Sequence, residues 1–276
     1  MAEESKAKFL INRIFDKIFE MGKVSQEEQK QVNDALNKEL IERPFRVAVI
    51  GQSGVGKSTT LNSVFGLSNY TSDLAEGTTE IIEKIFPMRD GFNLSIYDMP
   101  GLNNDEQKDL EYEKLYQKIL PGCDVIVYII NAHSRDFGED CRILKDIVLP
   151  ICNNNKVREN LVLAVNKIDT IGESIDPNDP ELQWDVSENL PTPKLKDAIK
   201  TKLGDIVNKL IDEELLGTND GFAQHQVVFY SAVFNYNLQD FIRAIAKAGK
   251  RGWIWPATVG FERAGLWSDA KLKQGE

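Results

Sequence analysis

One stretch of this 276-residue chain constrains its fold more than any other: Gly51-Gln52-Ser53-Gly54-Val55-Gly56-Lys57-Ser58. It directly follows a short apolar run, Arg46 to Ile50, and opens onto a helical stretch from Thr59 to Phe65. Strand, glycine-rich turn and helix in that order bring successive backbone N–H groups around an anion at the positive end of the helix. The glycines permit the turn, Lys57 adds a point charge for β and γ phosphate groups, and the Ser58 hydroxyl is a hard oxygen ligand for Mg²⁺. Residues Gly51 to Thr59 are therefore expected to cradle the phosphates of a nucleotide.

The rest of the chain supports a fold that can hold such a loop. Further β-rich runs, Ile81 to Phe86, Asn93 to Tyr97, Asp124 to Asn131, Leu161 to Val165 and Val227 to Tyr230, alternate with helical segments, and several are apolar almost throughout. Continuous apolar runs suit strands covered on both faces. The clearest intervening helix is Lys194 to Leu216, where Leu195, Ile199, Leu203, Ile206, Val207, Leu210 and Ile211 share one face before Gly217. The expectation is an α/β domain over residues 45–248, doubly wound around a mostly parallel six-stranded sheet. The segment from Gly172 to Pro193, acidic and holding four prolines (Pro177, Pro180, Pro191 and Pro193), reads as a long surface loop.

Two shorter regions flank this domain. Phe9, Leu10, Ile11, Ile14, Phe15, Ile18 and Phe19 recur at helical spacing, and a capping box at Ser25–Glu28 starts a second helix that ends before Pro44. Residues 1–44 thus read as a helical hairpin. Its apolar stripe, beside Lys6, Lys8, Arg13 and Lys17, would suit a membrane interface, but packing on the second helix or on the α/β domain is favoured. Residues 249–276 form a tail rich in aromatics (Trp253, Trp255, Phe261, Trp267), read as packing or a partner contact ahead of base stacking.

Composition excludes several functions. With 33 Lys and Arg against 43 Asp and Glu the net charge is -10, so a nucleic acid is a poor partner for want of a basic face. Cys123, Cys141 and Cys152, with His133 and His225, show no zinc-ligand spacing and fit a reducing cytoplasm. The longest apolar run, Val125 to Ile130, is far short of the ~20 residues of a membrane span. No signal peptide is expected in MAEESKAK, which carries two glutamates. His133, at the end of a strand, reads as a polar loop residue rather than a catalytic one.

Three further motifs stand at strand ends. Asp98-Met99-Pro100-Gly101 closes the run Asn93 to Tyr97; a carboxylate there can hold Mg²⁺ through water, and the Gly101 amide can meet a γ-phosphate. Asn166-Lys167-Ile168-Asp169 closes Leu161 to Val165. Guanine presents two donors, N1 and the exocyclic N2, that one carboxylate can accept together; adenine offers no such pair. Asp169 is placed for that contact, Asn166 for the O6 and N7 side, and the Lys167 stem for covering the ring. After Val227 to Tyr230, Ser231-Ala232 can supply a backbone amide to O6.

In this order and on these strand ends, the motifs resemble the regulatory P-loop GTPases over about residues 45 to 248, and within them the Era-like class, especially the compact bacterial ones often described as ribosome-binding. Leu120-Pro-Gly-Cys-Asp-Val-Ile-Val-Tyr-Ile-Ile and the loop around Trp184-Asp185 are similar to that group as well. Immunity-related and dynamin-like GTPases are a more distant likeness. The resemblance implies GTP and GDP as ligands, Mg²⁺ as cofactor, and hydrolysis of GTP to GDP and phosphate. Lys57, Ser58, Thr79, Asp98 and Gly101 would then serve the phosphoryl transfer, with Ser58, Thr79 and Asp98 around the metal. Thr79 is the switch threonine and Thr78 its reserve, although Glu80 stands where an arginine is usual. Leu102 occupies the place of the Ras-like glutamine that orients water, and Gly54 that of the asparagine of potassium-activated relatives. Slow turnover is the consequence, with a second copy of the chain across the nucleotide face as one source of assistance. A nucleotide-driven dimer or membrane-associated module is the alternative, and ribosome association a third. Nothing in the sequence names an effector.

Overall fold

The computed structural model describes residues 27, 43–65, 81–87, 93–102, 106–134, 137–153, 160–216 and 226–249. The N-terminal hairpin apart from residues 27, 43 and 44, the aromatic tail beyond Gly249, and Thr78 with Thr79 lie outside the described residues.

Among the described residues, β1 (Phe45–Gly51), β2 (Ile82–Pro87), β3 (Asn93–Asp98), β4 (Val125–Asn131), β5 (Leu161–Asn166) and a late strand, Val227–Phe229, form one sheet. The spatial order runs β2, β3, β1, β4, β5 and then that late strand, with only the β2–β3 pair antiparallel. Every expected strand is present, its ends within one or two residues of the apolar run that announced it. Side-chain alternation divides the core in two. Ala48, Ile50, Ile126, Tyr128, Leu163 and Val165 face one side, against α2 (Glu106–Ile119) and the helical stretch after β4. Val47, Val49, Val125, Val127, Ile129 and Val162 face the other, against α1 (Lys57–Phe65) and the last helix, Leu238–Ala248. Both faces are covered, which is why these strands read as continuous apolar runs.

The stretch after β4 begins as α3 (Gly138–Arg142), widens into a π-helical turn at Ile143–Val148, and closes with Leu149–Ile151. Tyr128 of β4 reaches Asp140 at its start, hydroxyl to Oδ1 at 2.8 Å, and both are buried.

The segment from Gly172 to Pro193 is not the irregular loop its prolines suggested. It holds α4 (Ile171–Ile175), a 3-10 turn at Pro180–Leu182 and a small hairpin, β6 (Trp184–Asp185) with β7 (Leu190–Pro191). Two local devices order it. Gly172 packs on the backbone of Leu182 so closely that no side chain fits there. Trp184 stacks on Phe234, 4.9 Å between centroids, and meets Tyr236 edge-on. The helix that follows, α5 (Pro193–Asp212), is N-capped by Thr192 and ends four residues before the expected Leu216. Glu214 takes a left-handed φ of 61°, and the Leu215 and Leu216 amides turn back to the Leu210 carbonyl, which buries both leucines.

The chain leaves β1 toward β3 on one side and returns to β4 on the other. In an open α/β sheet, that reversal opens a crevice at the strands' carboxyl ends. All four motifs leave the sheet there. With the strand Val227–Phe229 as β8 and the helix Leu238–Ala248 as α6, the frame of the site is complete.

Candidate functional site

The phosphate end is built from β1, α1 and the turn after β3. Gly51, Gly54 and Gly56 adopt φ of 142°, 74° and 96°, which side-chain-bearing residues rarely reach. A Cβ at Gly51 would strike the Ile129 carbonyl of β4, and one at Gly56 the Asn166 amide of β5. These contacts lock the loop onto its neighbours. Lys57, 7% exposed, donates to the Gly51 carbonyl at 3.3 Å and the Gln52 carbonyl at 2.9 Å. Burial lowers its pKa to about 8, against the pull of Asp98, which favours the ammonium. The Ser58 hydroxyl donates to Asp98 Oδ2 at 3.0 Å, joining the start of α1 to the end of β3. Thr59 is exposed on the first turn, while buried Thr60 bonds the Gly56 carbonyl and the Tyr230 hydroxyl, each at 2.8 Å.

The turn after β3 lies on this loop. The Ser53 amide donates to the Leu102 carbonyl at 3.0 Å, and the side chains of Met99 and Leu102 are buried in the core.

The base end is built from β5, β8 and the turns after them. Asn166 bridges both: its Nδ2 donates to the Val55 carbonyl at 3.0 Å and its Oδ1 accepts from the Ala232 amide at 3.1 Å. The sequence suggested it for the O6 and N7 side of a base, whereas here it ties the phosphate loop to the Ser231-Ala232 turn. Lys167, with φ of 63°, donates to the Gly54 carbonyl at 2.8 Å, so its stem runs along the cleft between base and phosphate ends. The Ser231 amide bonds the Tyr236 carbonyl. Both amides of the Ser231-Ala232 turn are thus engaged within the protein.

Asp169 differs from these groups. Its Oδ1 is buried and has no hydrogen-bond partner. The residue borders a cavity of about 350 Å³ lined also by Glu173, Leu182, Trp184 and Phe234. An unsatisfied buried carboxylate oxygen costs on the order of 1–3 kcal/mol, so the position favours a ligand that brings donors. The bidentate donor edge of guanine meets that demand. His133 bonds Thr170 and Asn131 in the loop after β4, in keeping with its reading as a polar loop residue.

The Ser58 and Asp98 oxygens fit Mg²⁺, a hard cation that takes one or two protein oxygens and leaves the remaining positions to phosphate and water. Among the described residues, no group of three or more His, Cys, Asp or Glu side chains forms a self-sufficient metal cage. Sequence reasoning missed Tyr116 and Tyr230, whose hydroxyls brace the phosphate end from inside the core. Both sit in apolar patterns, where the letters give no sign of a polar task.

Residues 46–167 match a family described as 50S ribosome-binding GTPase. YkfA of Escherichia coli, an uncharacterized protein, is 31% identical over 118 residues, or 42% of this chain and 39% of that one. GTPase Der of Rhodopseudomonas palustris is 28% identical over 68% of this chain and 40% of its own length. GTPase Era of Pseudomonas aeruginosa is 27% identical over 68% of this chain and 60% of its own. The chain thus spans 39–60% of the length of these relatives. Among solved structures, Era in complex with MgGDPNP and a piece of 16S ribosomal RNA superposes with a TM-score of 0.52 at 20% identity, over 75% of this chain and 57% of that one. LeoA, a bacterial dynamin GTPase from ETEC, gives 0.55 at 17% identity, over 97% and 46%. Both likenesses concern the fold. The sheet order, the motifs at its carboxyl rim and the family match over residues 46–167 agree on a P-loop GTPase fold similar to that of the Era-like GTPases.

Proposed function

We propose that the domain binds GTP and GDP with Mg²⁺, hydrolyses GTP slowly to GDP and phosphate, and changes the conformation of its switch segments with the nucleotide. One observation carries this reading: the Lys57–Ser58–Asp98 group and the Asp169 carboxylate share one rim of the sheet, linked through Asn166 and Lys167. Lys57 exchanges two backbone carbonyls for β and γ phosphate oxygens. The loop amides from Gly54 to Ser58 surround the phosphates, and the Gly101 amide meets the γ-phosphate. Ser58, Asp98 and Thr79 hold Mg²⁺, which neutralises charge on the phosphate oxygens when bound. Asp169 accepts from N1 and N2 of the base, and the Ala232 amide trades the Asn166 side chain for O6.

Leu102, 1% exposed, is buried in the core and cannot hydrogen-bond an attacking water. Turnover of the isolated chain should therefore fall on the unassisted scale, roughly 10⁻⁴ to 10⁻² s⁻¹. Assistance from a second copy across the nucleotide face is supported by exposed apolar side chains at the base rim. Val233 is 67% exposed and Val186 73%, and Asn189 of the hairpin turn is bonded to the Phe234 carbonyl. Phosphate release measured over a hundredfold range of protein concentration tests both points. Specific activity should start low and rise with concentration; a concentration-independent rate near 1 s⁻¹ from a monomer would refute both. No helix among the described residues is long and apolar enough to cross a membrane, and a cytoplasmic site of action is part of the proposal.

A further inference from the structure

We propose that Tyr116 is a positioning residue for recognition of the γ-phosphate: its hydroxyl fixes the plane of the Pro100–Gly101 peptide and so aims the Gly101 amide at the phosphate loop. The inference rests on the GTPase reading above and names a residue that none of the motifs contains.

Tyr116 lies on the inner face of α2 and is 0% exposed. Its hydroxyl donates to the Pro100 carbonyl at 2.8 Å. One buried hydroxyl thereby joins α2 to the turn after β3. The Pro100 carbonyl and the Gly101 N–H belong to one planar trans peptide, in which oxygen and hydrogen point in opposite directions. Holding the carbonyl down in the core therefore turns the N–H away from it, to the side of the phosphate loop. Gly101 does lie over that loop: a Cβ on it would stand 2.7 Å from Lys57 Nζ and from the Ser53 nitrogen.

Met99 and Leu102 are anchored by their side chains, and their backbones are bonded to Val49 and Ser53. Proline has no N–H to offer a neighbour. The carbonyl is one handle on the peptide plane, and Tyr116 holds it. GDP lacks the γ-phosphate, so its binding does not depend on the aim of the Gly101 amide.

The test is Tyr116→Phe, which removes a single oxygen, titrated calorimetrically with GDP and with a non-hydrolysable GTP analogue in Mg²⁺. Affinity for the analogue should fall about tenfold while that for GDP stays within about twofold, because one well-placed hydrogen bond is worth roughly that ratio. Tyr112→Phe, a buried tyrosine one turn earlier on α2, should leave the ratio unchanged. A merely structural hydroxyl would lower the melting temperature and weaken both ligands alike, and that result, or an unchanged ratio, overturns the proposal. If Tyr116→Phe does not fold, Tyr116→Met carries the same comparison. An unmodified protein that bound neither nucleotide would overturn the underlying GTPase reading. Binding by the unmodified protein with an unchanged ratio in the variant would overturn the role of Tyr116 alone.

Discussion

The two ends of the nucleotide cleft are prepared differently. At the phosphate end, the main donors already have partners within the protein: the Lys57 ammonium holds two carbonyls, the Ser53 amide holds the Leu102 carbonyl, and the Ser58 hydroxyl holds Asp98 Oδ2. At the base end, a buried carboxylate oxygen of Asp169 has none and borders a cavity of about 350 Å³. A phosphate must exchange one set of hydrogen bonds for another, whereas a base with paired donors supplies bonds that were missing. Exchange yields little net energy per bond, and filling an unmet demand yields more. Affinity at the phosphate end should therefore come mainly from charge, and discrimination at the base end from geometry.

The largest effect expected from breaking this contrast is at Lys57. Lys57→Met should reduce GTP affinity by about a thousandfold, the loss of charge-assisted contacts to the β and γ phosphates. The same substitution should stabilise the empty protein. Burial holds the Lys57 pKa near 8, below the ordinary 10.5, so between these values the unfolded chain binds more protons than the folded one. Stability conferred by this group thus rises with pH from 8 to 10.5, and below pH 8 the cost of keeping the ammonium buried is complete, on the order of 3 kcal/mol. Thermal unfolding of the nucleotide-free protein at neutral pH should show a higher melting temperature for Lys57→Met than for the unmodified chain; a lower one would contradict the desolvation argument.

At the base end the expected loss is smaller and more specific. Asp169→Asn should weaken GTP about a hundredfold and admit xanthosine triphosphate, whose C2 carbonyl suits an amide donor. A variant that lost both nucleotides equally would show Asp169 to be a fold element and not a base reader.

The smallest effect joins the two ends. A phosphate favours protonated Lys57, so GDP affinity should hold below pH 8 and decline above it, at most tenfold per pH unit. Calorimetry in buffers of different ionisation enthalpy should find proton uptake on binding near pH 9. A flat profile from pH 7 to 10 would mean that the lysine is charged throughout.

Much of this arrangement is legible in the sequence because it rests on repeated local signals. The central strands β1, β4 and β5 are apolar on both faces, and a doubly covered sheet leaves no other pattern. The phosphate loop is legible because its glycines are needed at φ values other residues avoid. The order within Gly172 to Pro193 escapes notice, since two-residue strands and a single 3-10 turn fall below any periodicity; what organises them is the distant Phe234 and Tyr236 packing on Trp184. The early end of α5 is hidden for a related reason, because Leu215 and Leu216 continue its apolar stripe while turning back into the core. Asn166 shows the limit within the site: its letter marks the base end, but its two hydrogen bonds to Val55 and Ala232 are visible only once β1, β5 and β8 stand side by side.

The central claim is that the half-buried carboxylate of Asp169, one oxygen of which has no partner, makes this a guanine site. Calorimetric titration of the unmodified protein with GTP, GDP, ATP and ADP in Mg²⁺ tests it most directly. Both guanine nucleotides should bind at least about a hundredfold more tightly than their adenine counterparts, since adenine leaves the carboxylate unsatisfied. Equal affinity for GTP and ATP would contradict it.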